Sequence, residues 1–222
     1  MNNININTAF QTGMESPEVI AKIVELNPKI STVYFYAYQP TYNVKESMRG
    51  RKGRPLIDRL LYHDLSAEHY KLRKGGVTAE SINGIINSLK EDVVLGVLSR
   101  VRAGRSRAHI PMMDFDERKC EGRWDIIESF IRGIDQEGII LHSGRSYHFY
   151  GVHLLQERDW LNFLGKCILS DLVDDRYVGH RLLDGCGILR ISACPLRPKV
   201  PSVISTVTKK TPITRALMVI KQ

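Results

Sequence analysis

Residues 108–116 read Ala-His-Ile-Pro-Met-Met-Asp-Phe-Asp, and residues 138–151 read Gly-Ile-Ile-Leu-His-Ser-Gly-Arg-Ser-Tyr-His-Phe-Tyr-Gly. Side chains alternate across a strand, so residues two apart share a face. A strand ending at Asp116 therefore aims Asp114 and Asp116 one way and Phe115 the other. By the same rule Ser146 and His148 share a face around Tyr147, with Gly144 and Arg145 in the turn before them. Between the two runs Trp124, Ile127, Ile131 and Ile134 recur at helical spacing, and Gly138 ends that stripe. The order strand, helix, strand, turn, strand sets the fold class as α+β.

Two carboxylates a few ångströms apart repel unless a cation sits between them. Hard oxygen donors suit Mg²⁺ or Mn²⁺, which take one or two carboxylates plus substrate phosphates. A hydroxyl, an imidazole and a guanidinium (Ser146, His148 and Arg145) beside such a site form a cradle for a polyphosphate. Alone, Asp-x-Asp at a strand end reads as a turn or cap, and Ser-x-His says less still. One helix apart, the two together point to function.

This succession resembles the archaeo-eukaryotic primase superfamily, which includes the primase-polymerases. There an apolar strand ends in Asp-x-Asp or Asp-x-Glu, a small-x-His motif follows, and an apolar residue followed by Asp comes third. The resemblance covers roughly residues 80 to 200. It implies that Asp114, Asp116 and a third acid hold two divalent ions, Mg²⁺ or Mn²⁺, and that His148 contacts the incoming nucleotide's phosphates. Val173-Asp174 fits the third motif, with the adjacent Asp175 as competitor. Arg181 and Arg190 resemble the family's late basic residues that grip a triphosphate. The resemblance further implies a two-lobed fold whose C-terminal lobe carries an RNA-recognition-like antiparallel sheet, with the active site between the lobes. The implied activity is template-directed nucleotidyl transfer to a 3′-hydroxyl. A catalytically inactive subunit that binds nucleic acid or nucleotide is the alternative, and a metal-dependent nuclease is a third.

The rest of the chain is consistent with a soluble protein. Its 222 residues suffice for one substantial domain or two small lobes sharing a core. We expect an N-terminal α/β lobe over residues 1–107 and the catalytic lobe over 108–222. No apolar run of membrane-spanning length and no signal peptide is read, so a cytoplasmic protein without a membrane partner is expected. A formal charge of +8 favours a polyanionic partner. The expected partners are a single-stranded template, nucleoside triphosphates and a helicase or other replication or defence protein. Cys120, Cys167, Cys186 and Cys194 form no Cys-x-x-Cys pair, so neither a zinc site nor a disulfide framework is predicted.

Residues 1–15 are polar and are expected to start loosely. Ser16-Pro17-Glu18 predicts a helix N-terminus with Ser16 as the cap. Thr32 to Tyr38 reads as a core strand. Residues 45–74 read as a mobile basic loop or arm, in which Arg49, Arg51, Lys52 and Arg54 either lie along a nucleic-acid backbone or are simply solvated. Thr78 opens another helix, and Val93 to Leu98 fits either strand or helix. Arg100, Arg102, Arg105 and Arg107 then form a cluster suited to template phosphates or to a sheet edge. Trp124 is expected in the core. Asp159 to Leu169 predicts a further amphipathic helix, and Val203 to Val207 an edge strand.

Overall fold

The run from Ile30 to Tyr38 is the centre of a first antiparallel sheet. The computed structural model describes residues 5–40 and 68–209. β1 (Ile30–Tyr38) pairs along one side with β2 (Glu68–Arg73). Along its other side lie β3 (Val94–Leu98) and β4 (Arg100–Ala103), two halves of one bent strand. β5 (Ser106–His109) extends β4 as a hairpin, and β9 (Ile188–Arg190) extends β3. Gly104 takes the positive φ that this hairpin turn needs. The ambiguous stretch from Val93 is thus a strand, buried on both faces.

Three helices close one face of this sheet. They are α1 (Ile6–Ala9), α2 (Ser16–Leu26) and α3 (Ala79–Ser88). Ile6, Phe10, Ile20, Ile23 and Ile82 pack there against Val33, Phe35 and Val97. Burial of each large side chain contributes about 1.5–3 kcal/mol. The N-terminus is therefore anchored from Ile6 onward rather than loose. Glu15, not Ser16, caps α2, in a reciprocal capping box with Glu18. Ser16 is buried and donates its hydroxyl to the Pro201 carbonyl, so a tertiary partner has claimed the expected cap. Thr78 caps α3, its hydroxyl accepting from the Ser81 amide.

The second sheet runs β10-β7-β8-β6, all antiparallel. Its strands are β6 (Met112–Asp116), β7 (Gly138–His142), β8 (Ser146–Gly151) and β10 (Ser202–Val207). α4 (Trp124–Gly133) and α5 (Glu157–Leu169) cover the face that carries Met113, Phe115, Tyr147 and Phe149. The opposite face contributes Met112, Ile139, Leu141 and Tyr150 to the core of the first sheet, so the two sheets share one interior. A Cβ on Gly138 would stand 2.1 Å from the Tyr150 carbonyl oxygen, and only glycine allows the strands to close there.

Beyond β6 the chain returns once more. Val173 makes an antiparallel bridge to Phe115 just before α6 (Asp175–Asp184). β6, α4, β7, β8, α5 and this bridge follow the split β-α-β order. The chain passes from the first sheet to the second between His109 and Met112, and β9 later returns to the first.

Several readings need correction. Residues 68–73 of the predicted basic arm are strand β2, because β1 offers them a free edge; its earlier residues 45–67 lie outside the described residues. Trp124 opens α4 and is 39% exposed instead of buried, since a first-turn position projects beyond the sheet. The cysteine reading needs no change: Cys167 lies in the core as expected, and all four cysteines are free and buried.

Candidate active site

β6 and β8 set the proposed residues side by side. Asp114 stands directly opposite His148, and Asp116 opposite Ser146. All four share the face of the sheet that Met112 and Tyr150 enter lower down. Phe115 and Tyr147 point the other way and fasten the pair to the second core. The alternation read from the sequence therefore holds for both motifs. The turn between β7 and β8 is tied by Ser143, whose hydroxyl lies 2.8 Å from that of Ser146. Gly144 adopts φ +100° in this turn.

Burial and charge give the four groups different characters. Oδ1 of Asp114 is buried without a hydrogen-bond partner and lies 3.7 Å from Nε2 of His148. Burial pushes the Asp114 carboxyl up to about 6, although the Ser146 hydroxyl and the Arg190 and Arg197 guanidinium groups act against it. Burial, with Arg190 and His142, pushes the His148 imidazole down to about 3. His148 is thus neutral at physiological pH and Asp114 largely ionised. Asp116 differs: Arg118 grips it through Nε at 3.2 Å and Nη2 at 2.9 Å, and the Arg118 amide donates to it as well. These bonds hold its carboxyl below the usual range.

With Phe115 opposite Val173 and the Asp116 amide bonded to the Leu172 carbonyl, the antiparallel register puts Asp174 alongside Asp114. Asp175 falls one residue later, in the first turn of α6.

The basic residues are more scattered. Arg190 is buried, and its guanidinium donates to the carbonyls of Ser143, Ser192 and Lys199. It ties β9 of the first sheet to the end of β7 in the second. Arg181 pairs with Asp184 at 3.2 Å and lies 5.1 Å from the Tyr177 ring centre. Arg145 is exposed in the β7–β8 turn. Arg105 and Arg107 are exposed on the β4–β5 hairpin. Arg49, Arg51, Lys52 and Arg54 fall outside the described residues. Sequence reasoning missed Arg118, Arg197 and Tyr38. Arg118 had a local signal, standing two residues after Asp116; the others arrive from distant elements.

An orphaned, buried carboxylate oxygen beside a second carboxylate fits a hard cation whose remaining positions are filled by phosphate and water. Among the described residues no three His, Cys, Asp or Glu side chains gather as a ready-made metal cluster. Ions at this site would have to arrive with a polyphosphate, and Asp116 would have to leave Arg118 to reach them.

The model of one protein family, described as archaeo-eukaryotic primase 1D-like, matches residues 73–201. No curated protein and no solved structure matches. The matched span runs from the end of β2 past β9 and takes in every element that carries Asp114, Asp116, His148 and Asp174. On that match, over more than half its length, the chain belongs to the archaeo-eukaryotic primase-like family.

Proposed function

We propose that the chain is a nucleotidyltransferase that extends a nucleic-acid 3′-hydroxyl on a template, using nucleoside triphosphates. The observation that carries this reading is the placement of Asp114 and Asp116 beside Ser146 and His148 on one face of adjacent strands. Asp114 and Asp116, with Asp174, would hold Mg²⁺ or Mn²⁺. Such ions supply charge neutralisation for the phosphates and acidify the attacking hydroxyl.

The chain's own groups do the positioning. Phosphoryl transfer leaves little covalent work for a protein, so oriented donors and charge carry most of the catalysis. His148, being neutral, acts as a fixed hydrogen-bond donor to a phosphate oxygen and carries no charge of its own. Ser146 and Arg145 stand next to it at the mouth of the turn, on the side from which a triphosphate enters. Arg190 contributes its field from beneath, its N–H groups already committed to carbonyls. Arg118, freed from Asp116, has an exposed guanidinium with which to meet the same phosphates.

The test is incorporation of labelled nucleotide on a primed single-stranded template with Mg²⁺ or Mn²⁺. The Asp114→Ala, Asp116→Ala double variant should lose synthesis and keep nucleic-acid binding. Synthesis by that variant at the wild-type rate would remove the mechanism. The Arg118 bond to Asp116 favours a second reading, a silent subunit that binds nucleic acid or nucleotide without reaction. Absence of incorporation with either metal, together with intact binding, selects it.

A further inference from the structure

Asp116 already holds a cation, and the chain itself supplies it. The Arg118 guanidinium donates to both carboxylate oxygens, Nε to Oδ1 at 3.2 Å and Nη2 to Oδ2 at 2.9 Å. The next residue repeats the arrangement on the neighbouring segment, where Lys119 Nζ lies 2.9 Å from Oδ1 of Asp171 in the turn before Asp174. Each also feels acids beyond its partner: Asp174 for Arg118, and Asp175 and Asp116 for Lys119. Two adjacent cations of the β6–α4 loop thus sit among the carboxylates that the proposed reaction needs.

Most of this loop is fixed. Cys120 is buried, and the Tyr147 hydroxyl donates to the Gly122 carbonyl at 2.7 Å. The amides of Cys120, Gly122 and Arg123 bond to the carbonyls of Asp116, Glu117 and Cys120. Glu121 and Gly122, both at positive φ, turn the chain toward α4. Lys119 is largely covered, whereas 90% of the Arg118 side chain is exposed. The Arg118 guanidinium can therefore leave Asp116 by rotation of its own side chain, with the backbone in place.

The consequence of leaving depends on what else is bound. A guanidinium grips a phosphate as it grips a carboxylate, through two parallel hydrogen bonds. A divalent ion that approaches Asp116 alone must send Arg118 into water. With a triphosphate beside it, the same guanidinium exchanges one anion for another and little is lost. The penalty on the metal thus disappears when the nucleotide is present, and linkage makes the dependence mutual.

We infer that Arg118 is a positioning residue that couples the two ligands, closing Asp116 to a bare divalent ion and releasing it when a triphosphate takes the guanidinium. This rests on the proposed reading of Asp116 as a metal ligand.

Two titrations of the whole chain test it without turnover. One follows Mn²⁺ alone by the electron paramagnetic resonance of the free ion; the other follows a non-hydrolysable nucleoside triphosphate in Mn²⁺ by calorimetry. Arg118→Ala should tighten Mn²⁺ alone about two- to fivefold, the range of an exposed ion pair, and weaken the analogue by a similar factor. Arg118→Lys, which keeps the charge without the fork, should fall between. A merely structural Arg118 would weaken both ligands together. Mn²⁺ bound no more tightly by Arg118→Ala, or an analogue bound with no loss, overturns the coupling. Incorporation assays separate the two failures. Synthesis by the wild type without these opposed shifts sinks the coupling alone, whereas no Mn²⁺ binding with or without the analogue sinks the metal reading too.

Discussion

Asp114 and His148 face each other across β6 and β8 with Oδ1 and Nε2 3.7 Å apart, too far for a hydrogen bond. Neither Oδ1 of Asp114 nor Nδ1 of His148 has another partner. Unsatisfied buried polar groups cost about 1–3 kcal/mol each, so the pair is held at the expense of stability. Such strain belongs at a site whose partners arrive with the ligand.

The first prediction follows from that cost. The Asp114 carboxyl is raised from its ordinary value to about 6. A raised acid makes the folded protein bind the extra proton between about pH 4 and 6, so its contribution to stability falls as pH rises through that window. Asp114→Asn should therefore stabilise the protein at pH 7 in EDTA, by about 1–2 kcal/mol after allowance for the solvent-facing oxygen. The gain should disappear near pH 4, and incorporation should be lost at every pH. Urea melts at the two pH values check it; an equal gain at both would contradict the ionisation argument.

Arg190 provides a second prediction. Its side chain closes three main-chain carbonyls that have come together from the segment just after β9, the β7–β8 turn and the segment before β10. Arg190→Met keeps the length and apolar stem but strands these acceptors and joins no new ones. We expect a loss of about 3–5 kcal/mol in urea unfolding, by analogy with breaking a buried charge network. A loss under 1 kcal/mol would mean that the carbonyls find water instead. Arg190→Lys should recover only part, because one ammonium cannot span the three directions.

How far the sequence foretold this arrangement depends on how local each signal was. Period two placed Asp114, Asp116, Ser146 and His148 correctly because each pair lies on one strand; the pairing of β6 with β8 skips β7 in sequence, and no local signal announces it. The same period in Thr32–Tyr38 was legible, yet it could not tell which half faced the core: tyrosine suits either side. β2 was hidden because Glu68 to Arg73 resembles the basic stretch before it, and only the free edge of β1 makes it a strand. Arg190 resembled a phosphate ligand because sequence carries no sign of the three carbonyls that meet it.

A third prediction concerns His109, fully buried and stacked 4.3 Å from the Trp160 ring. Nδ1 is 3.1 Å from the Ser99 hydroxyl and Nε2 is 3.0 Å from Glu157, while the Gly187 amide donates to Ser99. The order Ser, His, Glu imitates a hydrolase triad, but Ser99 is wholly buried and no substrate reaches it. The chain instead joins β3, β5, α5 and β9. Burial holds the imidazole below its ordinary value despite Glu157. A depressed histidine adds stability that is complete above about pH 6.5 and is lost as pH falls below it. His109→Phe should cost about 2–3 kcal/mol at pH 7 through the lost bonds. It should also flatten the decline in melting temperature between pH 7 and 5. Parallel declines in variant and wild type would clear His109 of that role.

The last prediction separates two adjacent acids. Asp174 is aligned with Asp114 by the bridge from Val173 to Phe115, whereas Asp175 lies in the first turn of α6. A carboxylate in a first helical turn contributes about 0.3–1 kcal/mol through the helix dipole. Asp175→Asn should lower stability by that amount and leave incorporation within about twofold. Asp174→Asn should reduce incorporation at least about tenfold, the equivalent of some 1.4 kcal/mol in the barrier. It should also weaken Mn²⁺ binding in the presence of a non-hydrolysable triphosphate, while the melt moves little. Isothermal titration with that analogue gives a reading independent of turnover. Were Asp175→Asn to lose the ion and Asp174→Asn to keep it, the strand register would have to slip by one residue, and Phe115 would leave the core to let it.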